Sequence, residues 1–318
     1  MTDPSARTQE LLKQLTFQWG RLRLAQVLKR IRDRAARGRE LERWPLPQPE
    51  PVDADSSLAA DDAGFLPDLG GDYVRLTALY PAMSATDCLG AIGQLVGSWE
   101  DSRNAYLPSL LVLCRSAMET AAKTIWLLCD DSRDVRRKRA VGLTWSEMSN
   151  QKSFHAIEKR MYSGLPDKDQ DPNYRDLQEH IRLFLNREQI LTPVSKETPP
   201  NDTRIVINAA KWIDRHLPPD HGEELADDGL TLGAERIYVV SSALIHGYKW
   251  VGDYVKVPQN AYALAADGLA ASIAMADCAV ALYEAQAQRR GSPTSRARRY
   301  PERIEPTLNA WSTMYGSQ

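Results

Sequence analysis

The stretch Leu264–Leu282, LAADGLAASIAMADCAVAL, decides how this chain is read. It is apolar enough to raise the question of a membrane span, yet it carries Asp267 and Asp277. A carboxylate at the centre of a bilayer costs on the order of 3 kcal/mol or more. The stretch therefore reads as a helix buried in protein, and no membrane partner is expected. Its many alanines let neighbouring helices approach closely.

A core helix of this kind implies an all-α protein, and the rest of the chain agrees. Little of it alternates with period two, so a large sheet is not expected. Apolar positions recur at helical spacing over roughly 74–81, 85–100, 105–130, 132–148, 150–163, 173–189, 203–216, 231–247 and 259–288. Prolines 172, 193, 199, 200, 218 and 219 fall in the gaps. Asp130, Asp131 and Ser132 offer N-caps to the Arg-rich helix that follows them. There is no internal repeat. The expected architecture is an all-α helical bundle with an N-terminal amphipathic helical arm.

That arm is residues 1–44. Leu11, Leu15, Trp19 and Leu22 recur at spacings of three and four, and Leu24, Val27, Leu28 and Ile31 continue the apolar pattern. The opposite face is rich in arginine, so the helix wants a body, a partner protein or an anionic surface to lie against. Pro45, Pro47, Pro49 and Pro51 then enforce an extended run. Residues 45–72 read as a linker, 73–288 as the bundle, and 289–318 as a basic tail that is partly disordered.

The chain has 318 residues, of which 43% are hydrophobic and 26% charged, with a formal net charge of -2. No global basic field argues for nucleic acid. Positive charge is local instead: Arg21 to Arg39, Arg133 to Arg139, and Arg289 to Arg299. Cys88, Cys114, Cys129 and Cys278 are widely spaced and read as small hydrophobes in a reducing compartment. The N-terminus has no secretory signature, so a cytoplasmic location is expected.

Chemistry concentrates on one helix. At about 100° per residue, Glu235, Ser242 and His246 fall within about 40° of one another, with Tyr238 beside them. Imidazole is the side chain whose ordinary pKa suits proton transfer near neutrality. On the helix over 105–130, Arg115 and Glu119 are four apart at the edge of an apolar face. They form either an exposed pair or a group reaching towards His246, with Arg115 on a phosphate and Glu119 orienting the imidazole. No di-iron, P-loop, dinucleotide or nucleophile-elbow motif occurs, and no cofactor or metal is expected. His155, His180, His216 and His221 lack metal-ligand company.

Two segments, LLVLCRSAMETAAKTIWLL (110–128) and ERIYVVSSALIHGYKW (235–250), together resemble a diffuse group of helical actinobacterial proteins. That group is similar to the HEPN superfamily of helical bundles. The resemblance implies a homodimer and an RNA-directed effector of a toxin–antitoxin or phage-defence system. In its ribonucleases an Arg and a following His cleave the RNA backbone without a metal. His246 matches that His, whereas residues 239–241, where the Arg is expected, are Val, Val and Ser. Arg236 is too far along the helix, so Arg115 or a partner's arginine would have to serve. Arg175 and His180 have the right spacing but sit in a strongly polar helix. The expected catalytic set is His246, Arg115 and Glu119, supported by Tyr238 and Ser242. The other reading is a non-catalytic module that binds protein through its arm, or nucleic acid.

Overall fold

The computed structural model describes residues 4–46, 50–100, 104–216, 229–289 and 294–315, with backbone alone for 4–19 and 100. Among the described residues there are eleven α-helices and no strand. They are α1 (Pro4–Arg39), α2 (Ser57–Asp62), α3 (Tyr73–Gly97), α4 (Leu107–Leu128), α5 (Arg133–Met161) and α6 (Pro172–Leu191). They continue with α7 (Asp202–Arg215), α8 (Gly229–Ile245), α9 (Val251–Tyr254), α10 (Pro258–Ala287) and α11 (Glu305–Ser312).

Helix α10 is the axis of the bundle. Every residue from Ala271 to Ala287 is buried, and α1, α3, α4, α8 and α11 all pack on it. Small residues allow this crowding: a Cβ on Gly268 would stand 2.9 Å from Leu111 Cδ2 on α4. The two carboxylates of the apolar stretch are placed as a protein interior requires. Asp277 is fully buried and held by Arg303 at 2.8 Å and Arg37 at 3.2 Å. Asp267 lies at the surface and pairs with Arg236 at 3.0 Å. A buried carboxylate with two guanidinium partners is satisfied in protein and would not be in lipid.

Several expected boundaries move. A break at Pro81 does not occur, and α3 runs through it. The ring removes one amide donor, but Ala78, Ala82 and Ala85 around it are fully buried, so packing holds the helix together. Residues 132–163, expected as two helices, are largely one, since neither glycine nor proline interrupts 143–161. Ser132 does not cap α5 through its side chain. Asp130 instead accepts the Ser132 amide at 3.0 Å.

The arm, linker and tail are also more integrated than their composition suggests. Val27, Ile31, Ala35, Leu41 and Trp44 belong to the core. Within the expected linker, α2 buries Leu58 and sets Asp61 in a bidentate pair with Arg136, at 2.6 and 2.7 Å. The described part of the tail, 294–315, is ordered by pairs to α10. Arg296 donates to buried Glu284 at 2.8 Å, and Trp44 donates to the same carboxylate at 2.8 Å. Hydrophobic Trp311 and Tyr315 complete the seal.

Candidate functional site

Helix α8 turns one face onto α4 and α10. Leu230, Ala234, Ile237 and Ser241 are buried there, and Tyr238 falls at the edge of that face. The polar stripe therefore splits. On the helical wheel Tyr238 lies about 60–80° from Glu235 and His246, towards the buried side. Tyr238 is buried, Ser242 half-buried, and Glu235 and His246 are exposed.

Tyr238 meets the two α4 residues. Arg115 Nη2 donates to the Tyr238 hydroxyl at 3.0 Å, and that hydroxyl donates to Glu119 Oε2 at 3.1 Å. The Arg115 guanidinium also lies 4.6 Å from the Tyr238 ring centroid, a cation–π distance. Arg115 and Glu119 are 3.6 Å apart, and Lys123 adds an ammonium 3.4 Å from Glu119 and 3.9 Å from Asp202 on α7. Burial pushes the Tyr238 hydroxyl up to about 12 against the opposing pull of Arg115, so it stays protonated and can bridge the pair. The result is a charge-compensated brace between α4 and α8.

His246 is not part of this brace. It is the first residue beyond α8, eight positions and about 12 Å of helix axis past Tyr238. Gly247 has a φ of 65°, its amide bonds the Leu244 carbonyl at 3.1 Å, and the Tyr248 amide bonds Ala243 at 2.9 Å. This is the Schellman closure of a helix C-terminus, which favours glycine at the left-handed position. The His-Gly dipeptide thus marks where the helix stops. The imidazole stacks on Tyr248, with ring centroids 5.5 Å apart, and is open to solvent.

The alternative pair lies in solvent. Arg175 is exposed and donates to the Asp169 carbonyl at 3.0 Å, and His180 is exposed. His155 packs edge-on against Phe184 at 5.4 Å, and burial lowers its pKa. His216 stacks on Trp212 at 4.5 Å, while His221 lies outside the described residues. No group of three metal-ligating side chains occurs among the described residues.

A second feature joins two of the local basic clusters. On α1, positions 21, 32 and 39 repeat within about 20° of one another. Arg21, Arg32 and Arg39 are exposed and flank the buried row Val27, Ile31, Ala35 and Gly38, about 40–60° from Ala35, with the Arg39 stem lying over Gly93 of α3. The row spans about 27 Å and runs into a groove of about 1010 Å³ lined by Arg39, Arg43, Arg298, Arg299 and Tyr300. Among the described residues, neither the Arg39 nor the Arg43 side chain has an ion-pair or hydrogen-bond partner. Two carboxylates, Glu40 and Glu42, line the groove too; Glu40 pairs with Arg303, while Arg298 pairs with Glu305 and Arg299 with Glu50. Sequence reading found both arginine clusters, but nothing in it joined residue 43 to residue 298. Comparison with protein-family models, with curated proteins and with solved structures found no match to this chain.

Proposed function

We propose that the protein is a non-catalytic helical interaction module that holds the phosphate backbone of a single-stranded nucleic acid, RNA above all. The arginine row on α1, continuing into the groove beside Arg43 and Arg298, is the observation that carries this reading. The Arg39 and Arg43 guanidiniums at the groove are poised for phosphate, whereas Arg298 is paired with Glu305 and Arg299 with Glu50, and the planar fork suits phosphate better than an ammonium does. The net charge of -2 does not oppose it, because the potential that steers an anion is set by the local cluster.

Binding is favoured over cleavage by the place of the imidazole. His246 lies outside the Arg115 cluster, and Arg115 is engaged by Glu119 and Tyr238. The homodimer and the protein partner expected for the arm fit the same module, either docking on the exposed face of α1.

Fluorescence anisotropy of a labelled single-stranded RNA, measured across a salt series, tests the reading. Each phosphate contact contributes about 0.7 to the log–log salt slope on a single strand. Replacing Arg39 and Arg43 together by Gln is expected to weaken binding and flatten that slope by about 1.4. An unchanged slope, or no binding by the intact protein, defeats the reading. Purified protein is expected to leave the RNA intact, with or without His246→Ala.

A further inference from the structure

Helix α8 hands over to α10 through a corner, residues 246–257, that is rich in rings. Tyr254 is 73% exposed, more than any other large apolar side chain among the described residues, and Tyr248 is 57% exposed. Half-buried Trp250 meets Tyr254 edge-on, with ring centroids 5.7 Å apart. The His246 and Tyr248 rings lie nearly parallel, at an interplanar angle of 28°. A single exposed apolar residue needs no explanation, but four rings within nine residues at one corner mark a contact surface.

The corner is also cationic. It exposes Lys249 and Lys256 against one carboxylate, Asp253. Helix α1 brings further charge to the same end of the bundle. Arg34 donates to the Ala266 carbonyl at 2.8 Å, and a Cβ on Gly38 would stand 3.7 Å from Ile273 Cγ1. The two helices thus run side by side in the same direction, and at that register Arg23 comes level with the residues around Lys256. On the helical wheel, exposed Arg23 and Arg30 lie about 20° and 40° from Arg34, on the edge of α1 next to α10.

We propose that this corner stacks the unpaired bases of a single-stranded RNA, with Arg23, Arg30 and Lys256 on the flanking phosphates. The inference rests on the nucleic-acid reading above and adds where the bases go. The His246–Tyr248 pair offers one flat ring surface and Tyr254 a second. Every base has a π-face, so stacking of this kind tolerates any sequence but requires bases freed from a duplex. Tyrosine, tryptophan and lysine also suit a lipid headgroup layer. Here the cations run from the corner along α1, a line that follows a strand and not a planar surface.

Fluorescence anisotropy with three labelled probes of one length tests it: a single-stranded RNA, the same strand in a duplex, and an abasic ribose-phosphate strand. The single strand is expected to bind the intact protein at least ten-fold more tightly than the abasic strand, and more tightly than the duplex. Tyr248→Ala with Tyr254→Ala is expected to weaken the single strand about ten-fold while leaving the abasic strand and the salt slope unchanged. Tyr248→Phe with Tyr254→Phe should restore binding, because a phenyl ring stacks as well. Equal binding of the single and abasic strands, or an alanine variant that binds like the parent, overturns this inference and leaves the phosphate reading standing. No salt-dependent binding of any probe defeats both. Phosphatidylglycerol vesicles that sediment with the parent but not with the alanine variant, RNA binding being unaffected, assign the corner to lipid and overturn the inference.

Discussion

Arg115 and Tyr238, 123 positions apart in the chain, are joined by a 3.0 Å hydrogen bond and by the guanidinium lying over the phenol ring. The contact ties α4 to α8, and Glu119 closes it from the other side. Tyr238→Phe keeps the ring and removes both hydrogen bonds. It is expected to destabilise the fold by about 1–2 kcal/mol, and Arg115→Gln in the same background should add less than it does alone. Urea unfolding of the two single variants and the double variant measures this. A Tyr238→Phe midpoint equal to that of the parent protein shows the hydroxyl to be idle.

The C-terminus of α8 separates a conformational requirement from a chemical one. Gly247 sits at φ 65° with open space around it, so a Cβ there meets only backbone strain. Gly247→Ala is expected to cost about 1 kcal/mol. His246→Ala, on an exposed ring, should change stability by no more than about 0.5 kcal/mol. Thermal unfolding ranks the two, and a larger loss at His246 than at Gly247 contradicts this account of the turn.

Asp62 supplies a pH dependence. It is buried, accepts the Val74 amide at 2.7 Å, and burial pushes its pKa up to about 6. The folded chain thus holds this proton more tightly than the unfolded one, so the charged form is the destabilising one. The stabilising contribution is complete below about pH 4 and lost as pH rises through 6, on the order of 3 kcal/mol across that window. Asp62→Asn keeps the acceptor for Val74. It should raise stability at neutral pH and remove part of the decline between pH 4 and 6. Parallel stability curves for the variant and the parent show that Asp62 does not titrate there.

Arg136 carries α2 onto α5. Its guanidinium holds both Asp61 oxygens and also donates to the Asp130 and Asp131 carbonyls, at 2.8 and 2.9 Å. Arg136→Ala strips the buried Asp61 of both its short hydrogen bonds, leaving it only Arg133 at 3.7 Å, and frees two carbonyls; it should cost about 3–5 kcal/mol. Replacing Asp61 by Asn in that background should recover part of the loss, because the poorly compensated buried charge is gone. Chemical denaturation of both variants reads this directly, and equal stability of the two rules out the charge as the cause.

The fold class was legible because helical periodicity and the cost of burying charge are both local properties of the chain. Asp267 and Asp277 were enough to mark Leu264–Leu282 as a helix inside protein. Arg115, Glu119 and Tyr238 were each visible as helical neighbours, and they do converge. His246 was misleading for a physical reason: a polar residue before glycine marks a helix end as readily as a reactive group.

The sequence by itself determined where helices form and that the apolar ones must pack together, because turn residues and 3.6-residue spacing act over a few positions. Only the tertiary structure decided which polar residues meet. Whether Arg43 joins Arg298 at one groove, or Tyr238 meets Arg115 and Glu119, depends on how helices cross. Crossing is set by side-chain packing between segments hundreds of residues apart, which no local pattern encodes. The disposition of α10, buried along Ala271–Ala287, fixes those crossings and with them every site in the molecule.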